Sequence, residues 1–133
     1  MIVGLGADIV NIGRIEKTLE RFGTRFTNKF FTVNEQADIA AAKTSDRLKA
    51  CKAAKYFAAK EAAAKALGTG FNHGIEWREI AVSHDENGAP LLDLKGKALA
   101  RALELCGGGS FQSLVSLSDD YPFAQAVVII EKI

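Results

Sequence analysis

The sequence predicts an α+β fold, a single compact domain in which a mostly antiparallel sheet packs with helices. Three observations carry this. Small and β-branched residues open the chain at 2–10, two pairs of strand-like runs with turn residues between them occupy 78–94 and 111–131, and the intervening segments carry apolar residues at helical spacing. Strands grouped in pairs, not alternating one by one with helices, favour antiparallel connections over a parallel sheet. No repeat, low-complexity tract or linker breaks the 133 residues, so residues 1–133 form one domain.

Ile2 to Val10 alternates only roughly and reads as a largely buried strand carrying Gly4, Gly6 and, unusually, Asp8. Ile12, Ile15, Leu19 and Phe22 then recur at helical spacing, and Gly23 supplies a stop. Phe26, Phe30 and Phe31 lie in a segment too short to assign. Thr32-Val-Asn-Glu35 has the form of a capping box and predicts a helix through about Lys43. The longest element begins near Ser45 or Asp46 and runs to Leu67, with Gly68 placed for a left-handed cap. Residues 78–94 read as a β-hairpin turning at Asn87-Gly88. Leu99, Leu103 and Cys106 mark a further helix stopped by Gly107-Gly108-Gly109, and strands at about 111–118 and 124–131 flank Asp119-Asp120-Tyr121-Pro122.

A composition of 48% hydrophobic and 25% charged residues fits a globular domain, and so short a chain leaves enough surface exposed that a large ligand's site can need a second subunit. Cys51 and Cys106 lack metal-clip spacing and are too few for a disulfide framework, which points to a reducing, cytoplasmic setting. The apolar N-terminus is only about ten residues long and includes Asp8, so it fits neither a secretory signal nor a membrane span. The net charge of +1 hides a segregation: Arg14, Lys17, Arg21, Arg25 and Lys29 face only Glu16 and Glu20 within 14–29, and a second basic stretch runs from Lys43 to Lys65. That pattern suits a phosphate-rich or acidic partner as well as a solvated surface. The basic stretches lack the interleaved aromatics of single-strand nucleic-acid binding, so no nucleic-acid partner is expected.

In FAAKEAAAKALGTG at 57–70, Glu61 and Lys65 are four residues apart on one helix face, with Phe57 one turn before Glu61. By itself this spacing suits a surface salt bridge contributing a few tenths of a kcal/mol. Asp8 opens another reading. A carboxylate emerging from a buried strand has to cap, pair or bind a cation, and capping the helix that starts near Asn11 is one outcome. Two hard oxygen ligands from different elements, completed by water and phosphate oxygens, suit Mg²⁺; an adjacent lysine would neutralise phosphate, and the exposed amides of Gly68 and Gly70 would approach it closely. Gly4-Leu-Gly6 lacks the third glycine of a dinucleotide motif, there is no Walker-type lysine loop, and His73 and His84 form no evident triad.

These residues carry a resemblance. GLGADIVNIGRI at 4–15, FTVNE at 31–35, YFAAKEAAAKALGTG at 56–70, NGAPLLDLKGKA at 87–98 and AQAVVIIE at 124–131 are similar, in order, to the small trimeric 4′-phosphopantetheinyl transferases of the holo-[acyl-carrier-protein] synthase type. The resemblance implies transfer of the phosphopantetheine arm of coenzyme A to a serine of apo acyl carrier protein in fatty-acid synthesis, releasing adenosine 3′,5′-bisphosphate. It implies Mg²⁺ held by Asp8 and Glu61, with Lys65 on the same phosphates; Thr69 and Gly70 along the phosphopantetheine path; and Asn87, Gly88 and Pro90 near coenzyme A across a subunit boundary of a homotrimer. Arg47, with Lys49, falls where the nucleotide's 3′-phosphate would lie, and Arg14, Lys17 and Arg21 on the first helix would dock the acidic carrier protein. The alternative is a non-catalytic basic module that binds an acidic protein or nucleic acid. Two positions depart from the family: Tyr56 stands where arginine is common, which would move a phosphate contact to Lys52 or Lys55, and Asp119 follows Ser118 where histidine is common.

Overall fold

A computed structural model describes residues 1–42 and 44–133. Its elements are β1 (Ile2–Asn11), α1 (Ile12–Phe22), α2 (Thr24–Phe30), α3 (Val33–Ala40), α4 (Asp46–Leu67), a 3-10 turn (Trp77–Glu79), β2 (Ile80–His84), β3 (Pro90–Leu94), α5 (Gly96–Leu105), β4 (Phe111–Asp120) and β5 (Phe123–Lys132). All pairings are antiparallel, in a three-stranded sheet of order β1-β5-β4 and a separate β2-β3 hairpin. The expected α+β class and every expected element are present.

The boundaries follow capping chemistry. Thr32 and Glu35 form the reciprocal capping box, whereas the helix it starts stops at Ala40, with Ala41 as its cap; Lys43, its expected end, lies outside the described residues. Ser45 accepts from the Leu48 N–H at 3.0 Å, and Gly68, at φ 79°, donates to the Lys65 carbonyl, so α4 begins and ends at the expected residues. The unassigned phenylalanine segment is α2, with Gly23 linking it to α1. The hairpin loop is anchored by Asp85, whose carboxylate accepts from the N–H groups of Asn87 and Ala89.

Helix α4 is the hub. Its buried residues are mostly alanine, and one face lies on β1 and β5, against Ala124, Ala126, Val128 and Ile130. Close approach requires glycine beneath it: a Cβ at Gly4 would fall 2.2 Å from the Ala66 carbonyl oxygen, and one at Gly6 would fall 1.9 Å from that of Ala62. The opposite face of the same sheet carries an uncovered apolar patch, with Leu5 65%, Ile9 62% and Leu114 47% exposed, beside polar residues such as Gln112, Ser116 and Gln125. Register places Leu5, Ile129 and Leu114 side by side across the three strands there.

Candidate active site

The two-residue period of a strand puts Gly4, Gly6 and Asp8 on one face of β1. Where the glycines let α4 settle onto the sheet, Asp8 emerges at the flank of that contact and meets the functional face of the helix. Lys65 Nζ lies 3.0 Å from Asp8 Oδ1 and 2.9 Å from the Ala7 carbonyl oxygen. Glu61, half-buried one turn earlier, has its carboxyl pushed above the ordinary range by burial and then by the neighbouring Asp8 charge, with Lys65 pulling the other way. Residues separated by 57 positions thus form one constellation of two carboxylates and one ammonium.

This arrangement corrects two readings open in the sequence. Lys65 pairs with Asp8, and no Glu61–Lys65 ion pair occurs among the described residues. Asp8 is not the cap of α1 either: Asn11 accepts from the Arg14 N–H at 3.1 Å and holds that role.

A divalent cation fits this donor set. Beside burial, the Asp8 charge raises the Glu61 carboxyl, and neighbouring carboxylates of this kind are an environment a cation relieves. Asp8 and Glu61 would offer two hard oxygen donors and leave further positions to water and substrate, a donor set that fits Mg²⁺.

The remaining predicted residues lie on several other parts of the fold. Gly68, Thr69 and Gly70 follow directly from α4, and the Thr69 hydroxyl donates to the Gly70 carbonyl at 3.0 Å. Gly70 sits at φ 59° with open space where a Cβ would be, so backbone conformation demands glycine there. Asn87, Gly88 and Pro90 belong to the β2-β3 hairpin, in a different sheet from Asp8, and no hydrogen bond joins them to Asp8, Glu61 or Lys65 among the described residues. Arg47 is exposed with its guanidinium 4.1 Å above the Tyr121 ring. Lys49, two residues on, lines a cleft with Glu16, Glu20 and Asp46. Arg14, Lys17 and Arg21 are exposed along α1 and enter no ion pair among the described residues.

Three features escaped the sequence reading. Lys60 is fully buried against Glu35, although its position in a basic stretch resembles that of its exposed neighbours. Tyr56 is buried and its hydroxyl donates to Asp38, which also takes Lys52 at 3.3 Å, while Lys55 pairs with Asp119 at 3.2 Å. Of the two departures from the family pattern, Tyr56 is thus hydrogen-bonded to Asp38 and Asp119 is ion-paired, and burial together with the Asp38 carboxylate pushes the Tyr56 hydroxyl's pKa well up. Trp77 stacks between Phe71, at 3.7 Å, and Phe57, at 4.8 Å. The only sequence signal for that stack was the placement of Phe57 one turn before Glu61.

The family model of the 4′-phosphopantetheinyl transferase superfamily matches residues 4–126. The chain belongs to the 4′-phosphopantetheinyl transferase superfamily. Within it, the chain is 48% identical over 132 residues to a holo-[acyl-carrier-protein] synthase of Maricaulis maris, covering 98% of this chain and 90% of that one. A holo-[acyl-carrier-protein] synthase structure from Neisseria meningitidis superposes with a TM-score of 0.79 at 36% identity, covering 99% of this chain and all of the other. One from Bacillus anthracis, in complex with coenzyme A (3′,5′-ADP), superposes with a TM-score of 0.78 at 33% identity, covering 100% and 99%. The agreement extends over nearly the whole transferase domain, including the strand and helix that carry Asp8, Glu61 and Lys65.

Proposed function

We propose that this chain transfers the 4′-phosphopantetheine group of coenzyme A to a serine hydroxyl of apo acyl carrier protein, as a Mg²⁺-dependent enzyme of fatty-acid synthesis. The observation that carries this reading is the convergence of Asp8, Glu61 and Lys65, from elements far apart in sequence, beside the exposed Gly68-Thr69-Gly70 backbone. A relative of the same fold is known bound to coenzyme A, which supports that co-substrate here.

In the reaction the serine oxygen forms a bond to the β-phosphorus of coenzyme A, the bond to the bridging oxygen breaks, and adenosine 3′,5′-bisphosphate leaves. Asp8 and Glu61 hold the cation side of the site. When bound there, Mg²⁺ supplies positive charge that offsets charge on the reacting and departing phosphate oxygens. The Lys65 ammonium exchanges its Asp8 contact for a phosphate oxygen, while Thr69 and Gly70 line the path of the pantetheine arm. The serine proton passes to a carboxylate of this site or to a water that one holds. Arg47 contacts the 3′-phosphate, and Arg14, Lys17 and Arg21 orient the acidic carrier, a long-range field that speeds encounter more than it deepens affinity.

The active unit is a homotrimer in this reading. Support comes from the uncovered apolar patch on the three-stranded sheet, which water makes unfavourable to leave open, and from the placement of Asn87, Gly88 and Pro90 on a hairpin separate from Asp8, where they serve a neighbouring subunit's coenzyme A. The free thiols of Cys51 and Cys106 suit a cytoplasmic setting, and no helix among the described residues is long and apolar enough to cross a membrane.

The test follows adenosine 3′,5′-bisphosphate release from coenzyme A and apo carrier. Release that stops with a chelator and returns with Mg²⁺ is expected; absence of release with a competent carrier, or release indifferent to the chelator, contradicts the reading.

A further inference from the structure

Behind the site lies a buried ion pair that the chemistry does not use. Lys60 is wholly enclosed, with Nζ 2.8 Å from Glu35 Oε1; it donates to the Trp77 carbonyl at 3.0 Å and to the Ile80 carbonyl as well. Glu35 is equally enclosed and accepts from the Thr32 N–H at 2.8 Å and the Val82 N–H at 2.7 Å. All three ammonium protons therefore have directed acceptors, and the pair joins α3, α4, the 3-10 turn and β2 at one point.

Desolvating two charges makes such a pair weak as a source of stability, and its best-attested use is to specify register. Helix α4 has a register problem. Where it meets β1 its buried residues are alanines, with Ala66 over Gly4 and Ala62 over Gly6. Methyl groups on glycine provide close contact but few protrusions, so the contact with β1 by itself does little to fix the slide or rotation of the helix. Rotation matters greatly for function, because each residue advances about 100° around the axis and about 1.5 Å along it. Lys60 is the buried charged side chain of this helix, immediately before Glu61.

We propose that the Glu35–Lys60 pair sets the rotational and axial register of α4 and is thereby the positioning pair that presents Glu61 and Lys65 to Asp8. Held at three acceptors, Lys60 leaves Glu61 pointing about 100° away around the helix, toward the sheet edge where Asp8 emerges. This inference rests on the reading of Asp8, Glu61 and Lys65 as the reacting site, and its test includes a measurement that needs no turnover.

The experiment compares wild type with Glu35→Gln/Lys60→Met, which removes both charges and keeps an amide oxygen as acceptor for one of the two backbone N–H groups, at 32 or 82, that Glu35 satisfies. Three quantities are read: the thermal midpoint, kcat with carrier KM, and nuclear Overhauser contacts between Gly4 and Ala66 and between Gly6 and Ala62. The expected result is a folded protein whose carrier KM, set on α1, is unchanged, whose kcat falls by about tenfold to a hundredfold, and whose glycine–alanine contacts weaken or double. A folded variant with wild-type kcat and wild-type contacts overturns the proposal; altered contacts with unchanged kcat uphold the register role and count against the assigned reacting residues instead. Should that variant not fold, Glu35→Gln/Lys60→Gln supplies the same comparison: its neutral heads keep donors and acceptors, but the shorter arm cannot reach all three partners. The same changes are expected in it, and wild-type behaviour in it overturns the proposal equally.

Discussion

Lys65 Nζ sits 3.0 Å from Asp8 Oδ1, joining a helix to a strand that precedes it by 57 residues. In the substrate-free protein the ammonium therefore occupies part of the space a cation would take and neutralises one of its two ligands. Removing it has opposite consequences for metal and for co-substrate. Lys65→Met is expected to bind Mg²⁺ more tightly in calorimetry without coenzyme A, because Asp8 and Glu61 are then left facing each other unneutralised, yet to lose about a hundredfold in turnover with the phosphate contact gone. Weaker metal binding in this variant would show that Lys65 does not compete at Asp8.

Glu61 links the site to pH. Its carboxyl titrates above the ordinary value of 4.5, chiefly through burial and then through Asp8. A carboxyl whose folded pKa is raised contributes stability below its unfolded pKa, and that contribution is lost as pH rises through the folded value. Without Mg²⁺, Glu61→Gln should therefore melt higher than wild type at neutral pH, and the gap should close as pH falls toward the ordinary glutamate range. The same variant should be inactive. A lower melting point at neutral pH would mean that the ionised carboxylate is favourably held.

The contact of α4 with β1 admits no side chain on the strand. Gly6→Ala would put a methyl group 1.9 Å from the Ala62 carbonyl oxygen and 2.7 Å from the Ala66 backbone nitrogen, atoms that cannot rotate away. Urea unfolding should show a loss of about 3 kcal/mol or more, at or beyond the upper end of ordinary overpacking. A loss under about 1 kcal/mol would mean that the helix moves off the sheet cheaply.

Arg14, Lys17 and Arg21 form an exposed cationic row that enters no ion pair among the described residues, and the proposed role of this row is to dock the carrier. Arg14→Glu should raise carrier KM by about tenfold, flatten its dependence on salt and leave coenzyme A binding unchanged. Equal losses for both substrates would remove this row from the docking surface.

The order of elements was legible because capping and turn chemistry are local: Thr32 with Glu35, Ser45, Gly68 and Asn87-Gly88 mark their own boundaries. Asp8 stood out as a charge on an otherwise apolar strand, and Glu61 as a carboxylate within a basic stretch of helix. What remained hidden depends on the third dimension. Lys60 and Lys65 look alike in a helix of alanines, yet one is sealed against Glu35 and the other is half in water, and nothing nearby in sequence says which face meets β2. The i,i+4 spacing of Glu61 and Lys65 was misleading on its own, since a strand entering from the start of the chain offers Lys65 a better-placed carboxylate. Phe57 and Trp77 are 20 residues apart and become neighbours only when the 3-10 turn folds back along α4.

The most direct measurement is the intact mass of an apo acyl carrier protein incubated with coenzyme A and Mg²⁺, with wild type and Asp8→Ala run side by side. A gain of one phosphopantetheine group with wild type, and no detectable gain with a folded Asp8→Ala over the same interval, is the predicted result. No gain with wild type on a carrier that another transferase modifies, or an equal gain with Asp8→Ala, would contradict a transferase built on the meeting of Asp8, Glu61 and Lys65.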